Sequence, residues 1–213
     1  MPKRYWLMKS EPEAFSISEL ERVRVEPWTG VRSFFARLQL RAMSVGDEAL
    51  FHHSNATPSG VAGLARIVRT GVIDETQFDP ASPYFDPKAT REKPIWDCVE
   101  VEYMATLPHF VSMDRMRGEL ALSDMMVLKR GMRLSVQPVT EAEYETVIRL
   151  GHTPPPPETP SPQPTSKVKA KAKAKANVKA KAKAKVKVKV KAKPTPKAPQ
   201  RPAKRRTNQR GRS

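Results

Sequence analysis

Residues 1–152 predict an α+β fold, a small mixed β-barrel or curved sheet with flanking helices, on three observations. Short β-branched or alternating runs are interspersed with short amphipathic runs. There is no regular strand–helix–strand repeat of the kind that builds a doubly wound sheet, and about 150 residues suffice for one self-sufficient core. Beyond this domain the composition changes abruptly. Residues 1–152 carry 19 Lys+Arg against 21 Asp+Glu, a net charge of −2, whereas residues 153–213 carry 20 Lys+Arg against the single Glu158. The formal charge of +17 and the isoelectric point near 10.2 therefore describe a tail rather than a domain.

Tyr5 to Lys9 reads as an opening strand. Ser16-Ile17-Ser18-Glu19 has the spacing of a capping box and launches a short helix through about Arg22. A stronger helix is expected from Ser33 to Met43, where Phe34, Phe35, Leu38 and Ala42 recur at helical spacing. Gly46-Asp47 turns into a strand from Glu48 to His53. The β-branched run Val61 to Ile73 pairs with that strand, interrupted at Gly63 and Gly71. A long loop containing Pro80, Pro83, Pro87 and Pro94 follows. From Asp97 to Ala105, Val99, Val101 and Tyr103 alternate with Glu100 and Glu102, the pattern of a half-exposed antiparallel strand. Arg133 to Val139 predicts a further strand, with Pro138 tolerable near its end. Thr140-Glu141-Ala142-Glu143 is a second capping box, and Tyr144, Val147 and Ile148 give the final helix an apolar face up to Gly151. Gly151 suits the left-handed position that closes a helix, and Pro154 to Pro157 cannot continue one.

Residues 153–166 therefore read as a stiff Pro-rich linker. Residues 167–213 read as a disordered basic tail in which Lys alternates with Ala or Val, without the apolar bulk to pack. Such a tail attracts polyanions by charge: Lys167, Lys169, Lys171, Lys181, Lys183, Arg205 and Arg206 are expected to contact phosphates and release counterions. It has no aromatic residue for stacking and few bidentate side chains, so it cannot read base sequence. In composition it resembles the tails of linker histones and histone-like bacterial proteins. Pro202-Ala203-Lys204-Arg205-Arg206 would serve as an import signal in a eukaryotic nucleus. The expected location is nuclear in a eukaryote and cytoplasmic, with the nucleoid, in a bacterium.

Several classes are disfavoured. The lone Cys98 leaves no internal disulfide and no paired-cysteine zinc site. There is no Gly-rich phosphate loop and no His-Glu-x-x-His. His52 and His53 are consecutive, so a strand sends them to opposite faces and prevents joint metal ligation. The same alternation separates Lys9 from Ser10. No apolar run near the N-terminus is long enough for a membrane span. The expectation is a soluble, monomeric, non-catalytic binding protein with no metal and no cofactor.

The binding reading rests on Trp6 and Trp28, with Lys9, Ser10, Arg32, Ser33, His53 and Ser54 near them in sequence. A flat base is held by stacking together with hydrogen bonds to its Watson–Crick edge, which takes aromatic and short polar side chains in one place. Arg37, Arg41 and Lys88 are the domain's expected phosphate contacts. The string Tyr5-Trp6-Leu7-Met8-Lys9-Ser10-Glu11-Pro12 is followed in order by Trp28-Thr29-Gly30-Val31-Arg32, Ala36-Arg37 up to Leu40-Arg41-Ala42-Met43, and Gly46-Asp47. Phe51-His52-His53-Ser54-Asn55, Gly60-Val61-Ala62-Gly63 and Tyr84-Phe85-Asp86-Pro87-Lys88 complete the series. Together these motifs, over residues 3 to about 150, resemble the EVE domain.

The resemblance implies a PUA-like fold, related to the YTH readers of methylated adenine, with a pocket for a modified base. Modified cytosine in DNA, such as 5-methylcytosine or 5-hydroxymethylcytosine, is the ligand it implies, in preference to RNA. In that pocket Trp28 walls the base, and Ser10 and the backbone around Gly30 and Val31 bond its edge. His53 and Ser54 close the rim, and Asp86 belongs to the same set. A flipped nucleotide is implied, because stacked bases hide their faces. The chain departs from the family pattern where Ser33-Phe34-Phe35 replaces the usual Asn-Tyr-Gln. Leu38 also replaces an Asn, and His52 a common Tyr; the loss of amide and phenol groups removes hydrogen-bonding capacity. Two other readings remain open: a histone-like architectural protein whose tail is the active part, and an RNA modified-base binder or nucleotide-processing enzyme.

Overall fold

The computed structural model describes residues 2–156. The rest of the predicted linker and the predicted basic tail, with the lysines and arginines assigned to it, lie outside the described residues. Strand β1 (Tyr5–Ser10) runs parallel to β3 (Glu48–His53) and antiparallel to β6 (Val136–Val139). Strand β4 (Gly60–Ile73) pairs antiparallel with β3 on one side and with β5 (Asp97–Ser112) on the other. The short β2 (Val25–Pro27) lies at the far edge against β5. The resulting mixed sheet has the order β2-β5-β4-β3-β1-β6. Helices α1 (Ile17–Val23), α2 (Phe34–Ala42), α3 (Met113–Arg117) and α4 (Glu141–His152) flank it.

The period of two along the strands builds two cores. Trp6 and Met8 of β1 and Ala49 and Phe51 of β3 face a cluster that includes Ile17 and Leu20 of α1 and Ala36 and Leu40 of α2. Leu7 and Leu50 face the opposite cluster, with Met116 of α3 and Tyr144, Val147 and Leu150 of α4. Trp28 extends the β2 edge, its N–H bonded to the Val99 carbonyl at 2.8 Å, and belongs to the same cluster as Val136 from the opposite edge. Helix α2 packs on both β5 and β6. The sheet therefore curls until its two edges approach each other.

Several elements differ from the sequence expectation, each for a physical reason. Strand β5 runs on from Ala105 to Ser112, and Pro108 falls within a register break between the Gly63–Thr106 and Val61–Val111 pairs. A bulge of that kind tolerates a missing donor. Strand β6 begins at Val136, not Arg133. The preceding segment leaves the ladder after Lys9 N–H bonds the Ser135 carbonyl at 2.8 Å. The three-residue β2 and five-residue α3 are too short to show a period. At Ser16 one half of the expected capping box is present, Glu19 N–H to Ser16 Oγ at 3.1 Å. At Thr140 both halves are present.

Gly151 does not close α4 in a left-handed conformation; it lies inside the helix, which ends at His152 with Thr153 as its C-cap. Its role is close approach, because an added Cβ would sit 2.7 Å from Leu107, itself buried. Gly151→Ala gains about 1 kcal/mol of helix propensity but overpacks this site at a cost of about 1–3 kcal/mol. A net loss of stability is expected in denaturant unfolding.

Candidate nucleic-acid interface

Between the two sheet edges opens a cleft of about 930 Å³. One wall is the extended segment Glu26–Ser33 leading out of β2. The facing wall is the end of β1, Lys9 to Glu11, together with Met132, Arg133 and Ser135 from the segment entering β6. Ala14 and Phe15 before α1, Ser54 and Asn55 after β3, and Tyr84 from the long loop complete the lining.

The three indoles have different fates. Trp6 is buried in the core and its Nε1–H donates to the buried Asp47 carboxylate at 2.9 Å. It does not line the cleft, and its expected pocket role is corrected to a core role. Trp96 Nε1–H donates to Asp86 at 2.8 Å. Trp28 is also mostly buried, held edge-on against Phe51 and Phe15 with ring centroids 5.3 and 6.5 Å away. Yet it lines the cleft, and its Nε1–H has no acceptor among the described residues and is not sealed from solvent. A buried Trp normally finds a partner for that N–H, so Trp28 presents an open donor on an otherwise fixed ring.

The wall behind Trp28 is clasped from below by a residue that sequence reasoning missed. Asp74, 1% exposed, accepts from Gly30 N–H at 2.9 Å, from Arg32 Nη1 at 2.7 Å, and from Thr76 N–H at 3.0 Å. Burial alone would raise its carboxyl pKa, but the bonds from Arg32, Thr76 and Gly30 prevail and hold it below the ordinary range. Gly30 adopts φ 81°, and Tyr84 covers it so closely that a Cβ would lie 2.8 Å from the ring. Arg32 also donates to the Tyr84 carbonyl at 2.7 Å and Thr76 Oγ1 at 2.9 Å. Its guanidinium is therefore committed to the protein; it lines the cleft as a positioning residue and offers no fork to a ligand.

The other expected pocket residues divide. Ser10, Val31, Ser33 and Ser54 line the cleft. Ser10 Oγ donates to the Phe15 carbonyl at 2.8 Å, which leaves its lone pairs available, and Ser33 Oγ caps α2. His53 and Asp86 do not line it. His53 Nε2 accepts from Ile17 N–H at 3.1 Å, supports the start of α1, and burial lowers its pKa. Asp86 is spent on Trp96 Nε1–H and on Lys88 N–H. The expected phosphate contacts are also partly committed. Arg37 bonds the Ile95 carbonyl and stacks on Phe34 and Trp96, and Arg41 grips Asp97 with both Nε and Nη2. Lys88 is exposed and has no ion pair among the described residues.

Of the departures from the family pattern, Ser33 alone reaches the cleft; Phe34, Phe35 and Leu38 are exposed on the outer face of α2. Sequence reasoning missed Glu26, Tyr84 and Arg133. Glu26 was in principle legible, since it stands two residues before Trp28 in an extended segment and so shares its face. Its carboxylate has no partner among the described residues.

Two buried groups, Cys98 and His52, are held in their neutral forms. Burial pushes the Cys98 thiol up to about 12, far from a thiolate nucleophile. His52, on the face opposite His53, is 3% exposed and has its Nε2 3.4 Å from Met113 Sδ. Burial, with Lys9 nearby, lowers its pKa from 6.5 to about 4. The unfolded chain therefore takes up a proton below about 6.5 that the native state refuses until about 4. The stability contributed by the neutral His52 is fully present above 6.5 and is lost as pH drops toward 4, about 3 kcal/mol in total. Unfolding free energies of His52→Phe are expected to lose that slope between those pH values.

Residues 4–150 match the EVE domain. The chain belongs to the EVE domain family. Among EVE relatives, mouse thymocyte nuclear protein 1 is 36% identical over 172 residues, spanning 71% of this chain and 75% of that protein. A solved structure of a protein from Pseudomonas putida is 44% identical, with a TM-score of 0.67, and covers 69% of this chain and 99% of that one. The human THYN1 protein, solved in complex with DNA containing 5-methylcytosine, is 35% identical with a TM-score of 0.68, covering 72% and 100% respectively. The curled six-stranded sheet with flanking helices is thus the EVE fold.

Proposed function

We propose that this EVE protein binds nucleic acid and reads a modified base, of the 5-methylcytosine class in DNA, extruded into the cleft between its two sheet edges. One observation carries the reading: Trp28 lines a cleft of about 930 Å³ with its indole N–H unpartnered among the described residues. Glu26, two residues earlier in the same extended segment, lines the same cleft and brings a carboxylate acceptor to that wall. A donor next to an acceptor complements the cytosine edge, which offers an exocyclic amine beside a ring-nitrogen acceptor. The human relative solved with 5-methylcytosine DNA supports the same ligand class. The protein acts by binding rather than turnover, as a monomer, and on DNA in preference to RNA.

The basic segment, residues 167–213, serves as an anchor without base preference, raising the local concentration of the slightly acidic domain along DNA. Removing residues 153–213 is expected to weaken binding to all duplexes alike and to flatten the salt dependence by about 0.9 for each phosphate no longer neutralised. The test of the reading is a titration of residues 1–152 against duplexes that differ in one 5-methylcytosine, at matched salt. A preference for the modified duplex that survives the truncation is the expected result. Equal affinities would favour the architectural alternative, in which the tail is the active part.

A further inference from the structure

The basic side chains that reach the cleft are Lys9, Arg32 and Arg133. Arg32 is consumed by Asp74. Lys9 and Arg133 have no carboxylate within ion-pair distance among the described residues, whereas Arg4, Arg41, Arg66, Arg69 and Arg149 each find one. Lys9 is not simply a solvated charge. It is half-buried, its ammonium makes one hydrogen bond among the described residues, to the Met132 carbonyl at a long 3.4 Å, and burial lowers its pKa. A cation withdrawn from water without a counter-charge is costly unless an anion arrives to pair with it.

The geometry also sets the direction from which that anion comes. Met132 immediately precedes Arg133, so the Lys9 ammonium ends beside the backbone that carries the Arg133 guanidinium. Both belong to the β1 and β6 side of the cleft, opposite Trp28. The carboxylates in the lining do not cancel them. Glu11, at the end of the same wall, bonds Asn55 Nδ2 and makes no ion pair with Lys9 or Arg133 among the described residues, and Glu26 belongs to the segment that carries Trp28. The cleft is therefore polarised, with an aromatic donor–acceptor wall on one side and unpaired cations on the other. The domain as a whole, at a net −2, supplies no general attraction for phosphate.

We propose that Lys9 and Arg133 form a phosphate clamp that grips the backbone next to the extruded nucleotide while the Trp28 wall takes its base. The proposal rests on the base-reading function above and assigns Lys9 to the phosphate rather than to the base. Contacts of this kind fix register and carry no base information themselves.

The test uses the full chain and a duplex with a single 5-methylcytosine, in which the phosphate on the 5′ or the 3′ side of that nucleotide is replaced by a neutral methylphosphonate. One of the two replacements is expected to weaken wild-type binding about tenfold. In the double variant Lys9→Met/Arg133→Gln the same replacement should have no further effect, because both interactions it removes are already gone, and in each single variant its effect should be smaller than in wild type. Each variant should also lower the salt slope by about one while the ratio of modified to unmodified affinity stays within about twofold of wild type. Losses that multiply, or a wild type indifferent to both methylphosphonates, would overturn the clamp. The wild-type arm needs no variant to fold, so the clamp can be refuted on the native protein alone. A wild type with no preference for the modified duplex would instead sink the base-reading function.

Discussion

Trp28→Ala is expected to erase the preference for a modified base, leaving affinity for unmodified duplex within a few-fold of wild type, because that affinity comes from the basic segment. Loss of a base–aromatic contact costs about 1–3 kcal/mol of binding. The substitution also removes a ring packed on Phe51 and Phe15, so it should destabilise the fold by about 3–5 kcal/mol. Trp28→Phe separates the two effects. It keeps most of the packing and deletes the N–H, so the preference should fall about five- to tenfold while stability changes little. The two variants are compared by binding at matched salt and by denaturant unfolding. A Trp28→Phe protein that discriminates as well as wild type would remove the indole N–H from the mechanism.

Asp74→Ala is the second large effect. It leaves the Arg32 guanidinium, 21% exposed, without its counter-charge, and strands the Gly30 N–H. Breaking a buried pair by removing one member costs about 3–5 kcal/mol, and the low end applies because Arg32 keeps some contact with water and with Thr76 and Tyr84. The wall Glu26–Ser33 loses its fixed conformation, so base preference should fall along with the midpoint of unfolding. Asp74→Asn retains one acceptor but no charge, and is expected to recover part of both. Were Asp74→Ala to destabilise the protein yet leave discrimination intact, the clasp would be structural only.

What could be read from the sequence was local chemistry. The capping box at Thr140, the short strand runs Tyr5 to Lys9 and Glu48 to His53, and the alternation in the first half of β5 need only neighbours within a few residues, and each stands close to where its pattern predicts. What could not be read was set by closure of the sheet. Trp6 and Trp28 look alike in sequence, each beside strand-forming residues. The fold seals one against Asp47 and leaves the other at the cleft. Asp74 looks like any acidic residue before a turn until the sheet brings it beneath Gly30 and Arg32. Arg133 sits in a predicted strand, but it reaches the cleft because that segment has left the ladder. His53 and Asp86 went the other way: polar residues in suggestive motifs whose bonding is used to hold α1 and Trp96.

Whether a single base enters against Trp28 is decided by fluorine NMR of the protein labelled with 5-fluorotryptophan. Three resonances are expected, one for each Trp, assigned with the three single Trp→Phe variants. On adding a duplex with one 5-methylcytosine, the Trp28 resonance should shift far more than with the unmodified duplex, while Trp6 and Trp96 stay in place. A Trp28 resonance that responds equally to both duplexes, or to neither, would contradict entry of the base at this wall.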